Sequence, residues 1–103
     1  MDISEIIKEL NRLIKEKYDD FKGSYLFGSY ARGDYTKDSD IDIVALFDEY
    51  DRDKEMEIYG ITMDVDYKYD IVISLLIHTR KELENNCVFY NEVVNKGIFY
   101  DAA

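Results

Sequence analysis

With 103 residues, 23 acidic side chains against 13 basic ones and a formal net charge of −10, the chain fits one domain spanning residues 1–103. That charge disfavours nucleic acid as a partner, because phosphate backbones are held by lysine and arginine. The one cysteine, Cys87, excludes an intrachain disulfide framework, and no apolar run approaches the ~20 residues of a membrane span, so a soluble cytoplasmic protein is expected.

Ile3, Ile6, Ile7, Leu10, Leu13 and Ile14 recur at spacings of three and four, predicting an amphipathic helix capped by Asp2 or Ser4. Lys17 to Gly23 is polar and ends in glycine, so it is expected to be a connector. Ser24 to Phe27 then reads as a short strand running into Gly28-Ser29. Ser29 to Arg32 suits one helical turn closed by Gly33, and Asp34 to Ser39 a polar loop.

Asp40 to Phe47 is predicted as a strand. Alternation puts Ile41, Ile43, Ala45 and Phe47 on one face and Asp40, Asp42, Val44 and Leu46 on the other. A helix is expected within Glu49 to Lys68, with Ile58, Ile61 and Val65 inward and Met56, Tyr59 and Met63 flanking them. Gly60 interrupts it at a cost of roughly 1 kcal/mol. Tyr69 to Ile77 (YDIVISLLI) reads as a nearly continuous apolar strand with Asp70 near its start. Short helices follow at Thr79 to Leu83 and Cys87 to Lys96, with Phe89, Val93 and Val94 inward, and Ile98 to Tyr100 is a closing strand. Cys87 is expected as a small apolar packing residue and His78 as a packing residue with its polar atoms satisfied.

This order predicts a mixed α/β (α+β) fold, a small mixed sheet with helices packed on it. The crossover between the Asp40 and Asp70 strands sets them parallel, and if they are neighbours Asp70 joins Asp40 and Asp42. The first strand, antiparallel to the second, brings Gly28-Ser29 to the same edge. Three clustered carboxylates repel one another unless a cation sits among them, and an all-oxygen set suits magnesium or manganese. Gly28 lets backbone approach a ligand, while Ser29 offers a hydroxyl at the start of a helical turn. Together these residues suit a metal-bound triphosphate.

Gly28-Ser29, the ten-residue spacer, Asp40-x-Asp42 and the later Asp70 resemble the signature of the DNA polymerase beta nucleotidyltransferase superfamily. More narrowly, SYARGDYTKDSDIDIVALF resembles the minimal nucleotidyltransferases, the MNT group. The resemblance implies a polymerase beta-like nucleotidyltransferase fold in which Asp40, Asp42 and Asp70 hold Mg2+ or Mn2+ and act in catalysis. It also implies that Gly28 and Ser29 hold the outer phosphates of ATP, and that AMP passes to an acceptor hydroxyl. Small members occur beside HEPN-domain proteins, and some act as antitoxins that transfer AMP to a tyrosine of that partner. Two alternatives stay open: a non-catalytic nucleotide-binding or partner-masking module, and transfer to a small-molecule hydroxyl. The ten tyrosines suit an interface, and a homo-oligomer is a further arrangement left open. Arg32 and Lys37 are not assigned to the site, and Tyr30 stands where many relatives carry a basic residue.

Overall fold

The computed structural model of the protein describes residues 2–102. Helix α1 (Ile3–Lys17) is capped by the Asp2 carboxylate, which accepts from the Ser4 amide at 3.0 Å. Strand β1 (Phe21–Phe27) leads to a single helical turn, α2 (Ser29–Arg32), and after a loop the chain enters β2 (Ile41–Phe47). The long helix α3 (Arg52–Tyr69) crosses to β3 (Ile73–His78). Two short helices, α4 (Arg80–Glu84) and α5 (Cys87–Tyr90), precede a π-helical turn at Asn91–Asn95 and the last strand, β4 (Ile98–Asp101).

The four strands lie in the order β3-β2-β1-β4. β1 pairs antiparallel with both β2 and β4, and β2 pairs parallel with β3, as a helical crossover requires. Strand β1 begins earlier than predicted. Gly23 lies inside it at φ 137°, at a bulge between Phe21 and Gly23, and a Cβ there would collide with the Tyr100 carbonyl and the Phe99 ring of β4. The residue that reads as a breaker is where a neighbouring backbone comes close.

One face of the sheet, with Ile41, Ile43, Ala45 and Phe47, is covered by α1 and α3 through Ile7, Leu10, Ile14, Ile58 and Val65. Each such side chain contributes about 1.5–3 kcal/mol by burial. The other face, with Tyr25, Val44 and Leu46, is covered by Leu83 of α4 and Val93 of the π-helical turn. Asn11 ties α1 to the sheet: it accepts from the buried Ser24 hydroxyl at 2.5 Å and donates to the Tyr100 carbonyl at 3.0 Å.

Several expectations need correction. On α3 the buried positions are Ile58, Thr62 and Val65, with Ile61 half-buried, and Met56 and Met63 face solvent instead of flanking the core. Cys87 and Val88 are exposed, not packed. His78 packs edge-on against Phe89 at 5.7 Å, yet its buried Nδ1 has no hydrogen-bond partner among the described residues. The helix expected over Cys87 to Lys96 widens into a π-turn halfway. No helix among the described residues is long and apolar enough to cross a membrane.

Candidate functional site

The Asp-x-Asp pair stands where β2 enters the sheet. Thr36 and Ser39 fold the preceding loop: the Thr36 amide donates to the Ser39 hydroxyl at 2.9 Å, and the Asp38 amide to the Thr36 hydroxyl at 3.3 Å. The Ile41 amide then donates to the Val72 carbonyl at 2.9 Å, which starts the parallel ladder. Asp40 is exposed just before the strand and Asp42 is half-buried within it.

Gly28 forms the wall beside Asp42. It lies at φ 74° and ψ −151°, a conformation open essentially to glycine, and a Cβ there would collide with the Asp42 carboxylate. Phe27 is the register partner of Asp42, so strand pairing fixes this approach. The Ala31 and Arg32 amides donate to the Gly28 carbonyl at 3.1 and 3.0 Å, and Gly33 in the left-handed region ends the turn. Ser29, the first residue of that turn, is half-buried.

The pKa of Asp42 is raised, first by burial and then by the neighbouring Asp40 charge, with the Arg32 guanidinium acting in the opposite direction. Arg32 is held by Asp34 and by Glu92 of the π-helical turn, each at 3.3 Å. Glu92 thus fixes a cation beside the carboxylate pair. Nothing in its sequence neighbourhood marks that role, because the two residues are 60 apart in the chain.

Asp70 is placed differently from the sequence reading. Helix α3 continues through Tyr69, tied to α1 where Lys68 and the Tyr69 hydroxyl reach Glu9 at 2.9 and 2.7 Å. Asp70 caps that helix in the left-handed conformation, φ 53° and ψ 53°, and β3 starts only at Ile73. The β2–β3 register pairs Asp42 with Ser74, so the neighbouring strand sets a hydroxyl, not a carboxylate, beside Asp42. Asp66, which the sequence reading missed, holds this junction: its side chain accepts from the Ile73 amide at 3.0 Å and its carbonyl from the Ile71 amide at 3.0 Å. Burial raises its pKa, partly offset by that Ile73 amide.

Asp40 and Asp70 share the rim of a cleft of about 470 Å³, with Tyr30, Lys37 and Ile71 among its other lining residues. Tyr30 stacks on Tyr35 with ring centroids 4.2 Å apart. Among the described residues, no group of three or more histidines, cysteines, aspartates or glutamates is placed to hold a metal ion together. The donor set that remains, Asp40 and Asp42 beside a glycine wall, suits a hard cation bound by one or two carboxylates with phosphate oxygens as further ligands.

A β2 carboxylate pair facing a glycine-serine turn on an antiparallel β1 defines a nucleotidyltransferase domain. The profile of that family matches residues 3–100, and the chain belongs to it. Its relatives include two proteins of Methanocaldococcus jannaschii named as candidate protein adenylyltransferases. MJ0141 is 41% identical over 103 residues, covering 95% of this chain and 98% of its own. MJ0604 is 36% identical over 102 residues, covering 94% and 96%.

Two solved structures share the fold. A toxin–antitoxin structure with AMP-PNP matches with a TM-score of 0.68 and 23% identity over 95% of this chain and 72% of that one. The tri-AMPylated Shewanella oneidensis HEPN toxin in complex with its MNT antitoxin matches with a TM-score of 0.55 and 17% identity, over 94% and 71%.

Proposed function

We propose that the protein is a metal-dependent adenylyltransferase that passes AMP from ATP to a hydroxyl of a partner protein, a HEPN-type toxin, and so works as a cytoplasmic antitoxin. The observation that carries this reading is the approach of Gly28 to the Asp42 carboxylate, which leaves no room for a side chain beside the aspartate pair. The likeness to named adenylyltransferases at 41% and 36% identity supports the nucleotide and the protein acceptor. The HEPN partner is supported by the fold shared with an MNT antitoxin in complex with such a toxin.

In this reading Asp40 and Asp42 hold Mg2+ or Mn2+, which when bound neutralises phosphate charge and lowers the pKa of the attacking hydroxyl. Gly28 and Ser29 receive the outer phosphates, with Arg32 close enough to share their charge. The acceptor oxygen bonds to the α phosphorus, the bond from that phosphorus to the bridging oxygen breaks, and pyrophosphate leaves. Asp70, on the same rim as Asp40, would take the acceptor's proton and could ligate a metal on the acceptor side. A single domain over residues 1–103 carries all of these groups.

The stand-off of Asp70 favours a second reading, a module that binds nucleotide and masks its partner without transfer. ATP labelled separately at the α and γ phosphates, incubated with Mg2+ and a purified HEPN-type toxin, separates the two. The first reading expects α label on the toxin, lost with Asp42→Asn. Masking without label supports the second, and label on a small molecule assigns a different acceptor.

A further inference from the structure

Helix α3 is apolar on two sides. Ile58, Thr62 and Val65 are buried against the sheet, while Met56, Met63 and Tyr67 on the other side are 54%, 67% and 93% exposed. Gly60 completes the series, so the four fall at i, i+4, i+7 and i+11, the spacing of a helix–helix seam. No atom lies within 4 Å of where a Cβ on Gly60 would stand, and its φ is not positive. Glycine inside a helix is destabilising relative to alanine, and nothing in this fold requires it here. A glycine in mid-stripe lets a second backbone come close.

The borders of the stripe indicate what covers it. Asp53, Glu57 and Asp64 stand along one flank; Glu57 is held by Lys17 and Tyr18, while the side chains of Asp53 and Asp64 make no ion pair or hydrogen bond among the described residues. Two copies packed antiparallel about a twofold would set this acidic flank against itself. Packed parallel, they would set it against the flank of Arg52 and Glu55, where Asp66 is turned in to the Ile73 amide. Like charges meet along the seam of the antiparallel pair, and either arrangement brings together two chains that each carry −10. We propose that the outer face of α3, centred on Gly60, docks an amphipathic helix of another protein whose apolar ridge is bordered by lysine and arginine.

The stripe ends at Tyr67, one turn before Asp70 on the rim of the cleft, so the docked helix is led to the mouth of the site. That delivery rests on the proposed transferase function, whereas the docking does not.

The test uses the full chain without nucleotide and two stapled helical peptides with the same leucine ridge, one flanked by lysine and one by glutamate. Titration with amide shifts as readout should move residues 53–67 with the lysine peptide, in a salt-sensitive way. The glutamate peptide should bind at least about tenfold more weakly. Gly60→Leu should weaken binding of the lysine peptide by a similar factor while leaving the melting temperature unchanged or higher. Asp53→Lys with Asp64→Lys should reverse the preference. The proposal is overturned by equal binding of the two peptides, by shifts confined to other elements, or by unchanged binding of Gly60→Leu. It is equally overturned by a dimer of the free chain that Met63→Glu dissociates, which would assign the stripe to a second copy. None of these readouts involves ATP, so a failure here is distinct from a failure of transfer.

Discussion

Strands β2 and β3 run parallel side by side, yet their entrances are built differently. At β2 the loop is closed by Thr36 and Ser39 and the strand follows directly, so Asp42 lies within it and Asp40 stands immediately before its first residue. At β3 a helix runs up to Tyr69 and the chain reverses through a left-handed Asp70 before pairing begins at Ile73. Alternation places a carboxylate only where the strand has already started. Asp40 is the residue next to Ile41, whereas Asp70 is separated from Ile73 by Ile71 and Val72, and the position level with Asp42 belongs to Ser74.

The largest effect expected from breaking this contrast comes from Asp42→Asn. Transfer should fall on the order of a thousandfold, because several kcal/mol of charge stabilisation is lost with the carboxylate. A labelled-ATP assay on that variant showing wild-type transfer would falsify the assignment of β2. Gly28→Ala comes next: the alanine must adopt φ 74° and push against Asp42, so about 1–3 kcal/mol of stability and most nucleotide binding should be lost together. Calorimetry and nucleotide titration on one preparation would show whether the two losses travel together.

At the β3 entrance the effects are smaller. Asp70→Asn should slow transfer about a hundredfold, the lower range for a lost general base, while nucleotide binding stays intact. If binding falls with rate, Asp70 belongs to the ground-state metal site instead. Asp70→Gly should raise stability by about 1 kcal/mol, since glycine occupies the left-handed cap without the Cβ penalty.

The smallest effect concerns pH. The pKa of Asp42 is raised in the folded protein, so the unfolded chain loses this proton first as pH rises. The folded state is therefore penalised from the ordinary aspartate range upward, and the penalty persists above the raised value. Asp42→Asn should melt higher at neutral pH and match the parent below the ordinary aspartate range. An inactive variant that is also more stable would mark a carboxylate kept at a cost to the fold. Equal melting temperatures at both pH values would remove that cost.

Much of this was legible in the sequence where one period ran without interruption. The α1 stripe, the β2 alternation, the Gly28 and Gly33 positions around α2 and the parallel β2–β3 pairing all follow from local pattern and topology. Glycine and helix length were the weak points. Gly23 reads as punctuation, because its reason for being there lies on β4, far along the chain. The end of α3 depends on Glu9 gripping Lys68 and Tyr69, contacts no window of sequence contains, and on Asp66 gripping Ile73 across a turn that the apolar run hides. The restraint of Arg32 by Glu92 is hidden for the same reason, and with it part of the charge balance around Asp42.

The position of β4 has a consequence for biosynthesis. Gly28, Asp40 and Asp42 all lie on or beside β1 and β2, whose antiparallel pairing needs only a short stretch of chain. The remaining edge of β1, from Gly23 to Leu26, waits for Ile98–Asp101. A nascent chain on the ribosome therefore builds the carboxylate pair and its glycine wall before the sheet is closed. During that interval a bare strand edge, beside an Asn11 amide that still lacks the Tyr100 carbonyl, is open to pairing with any other extended chain. The interval between the emergence of β1 and that of Ile98–Asp101 then bears on the yield of folded protein.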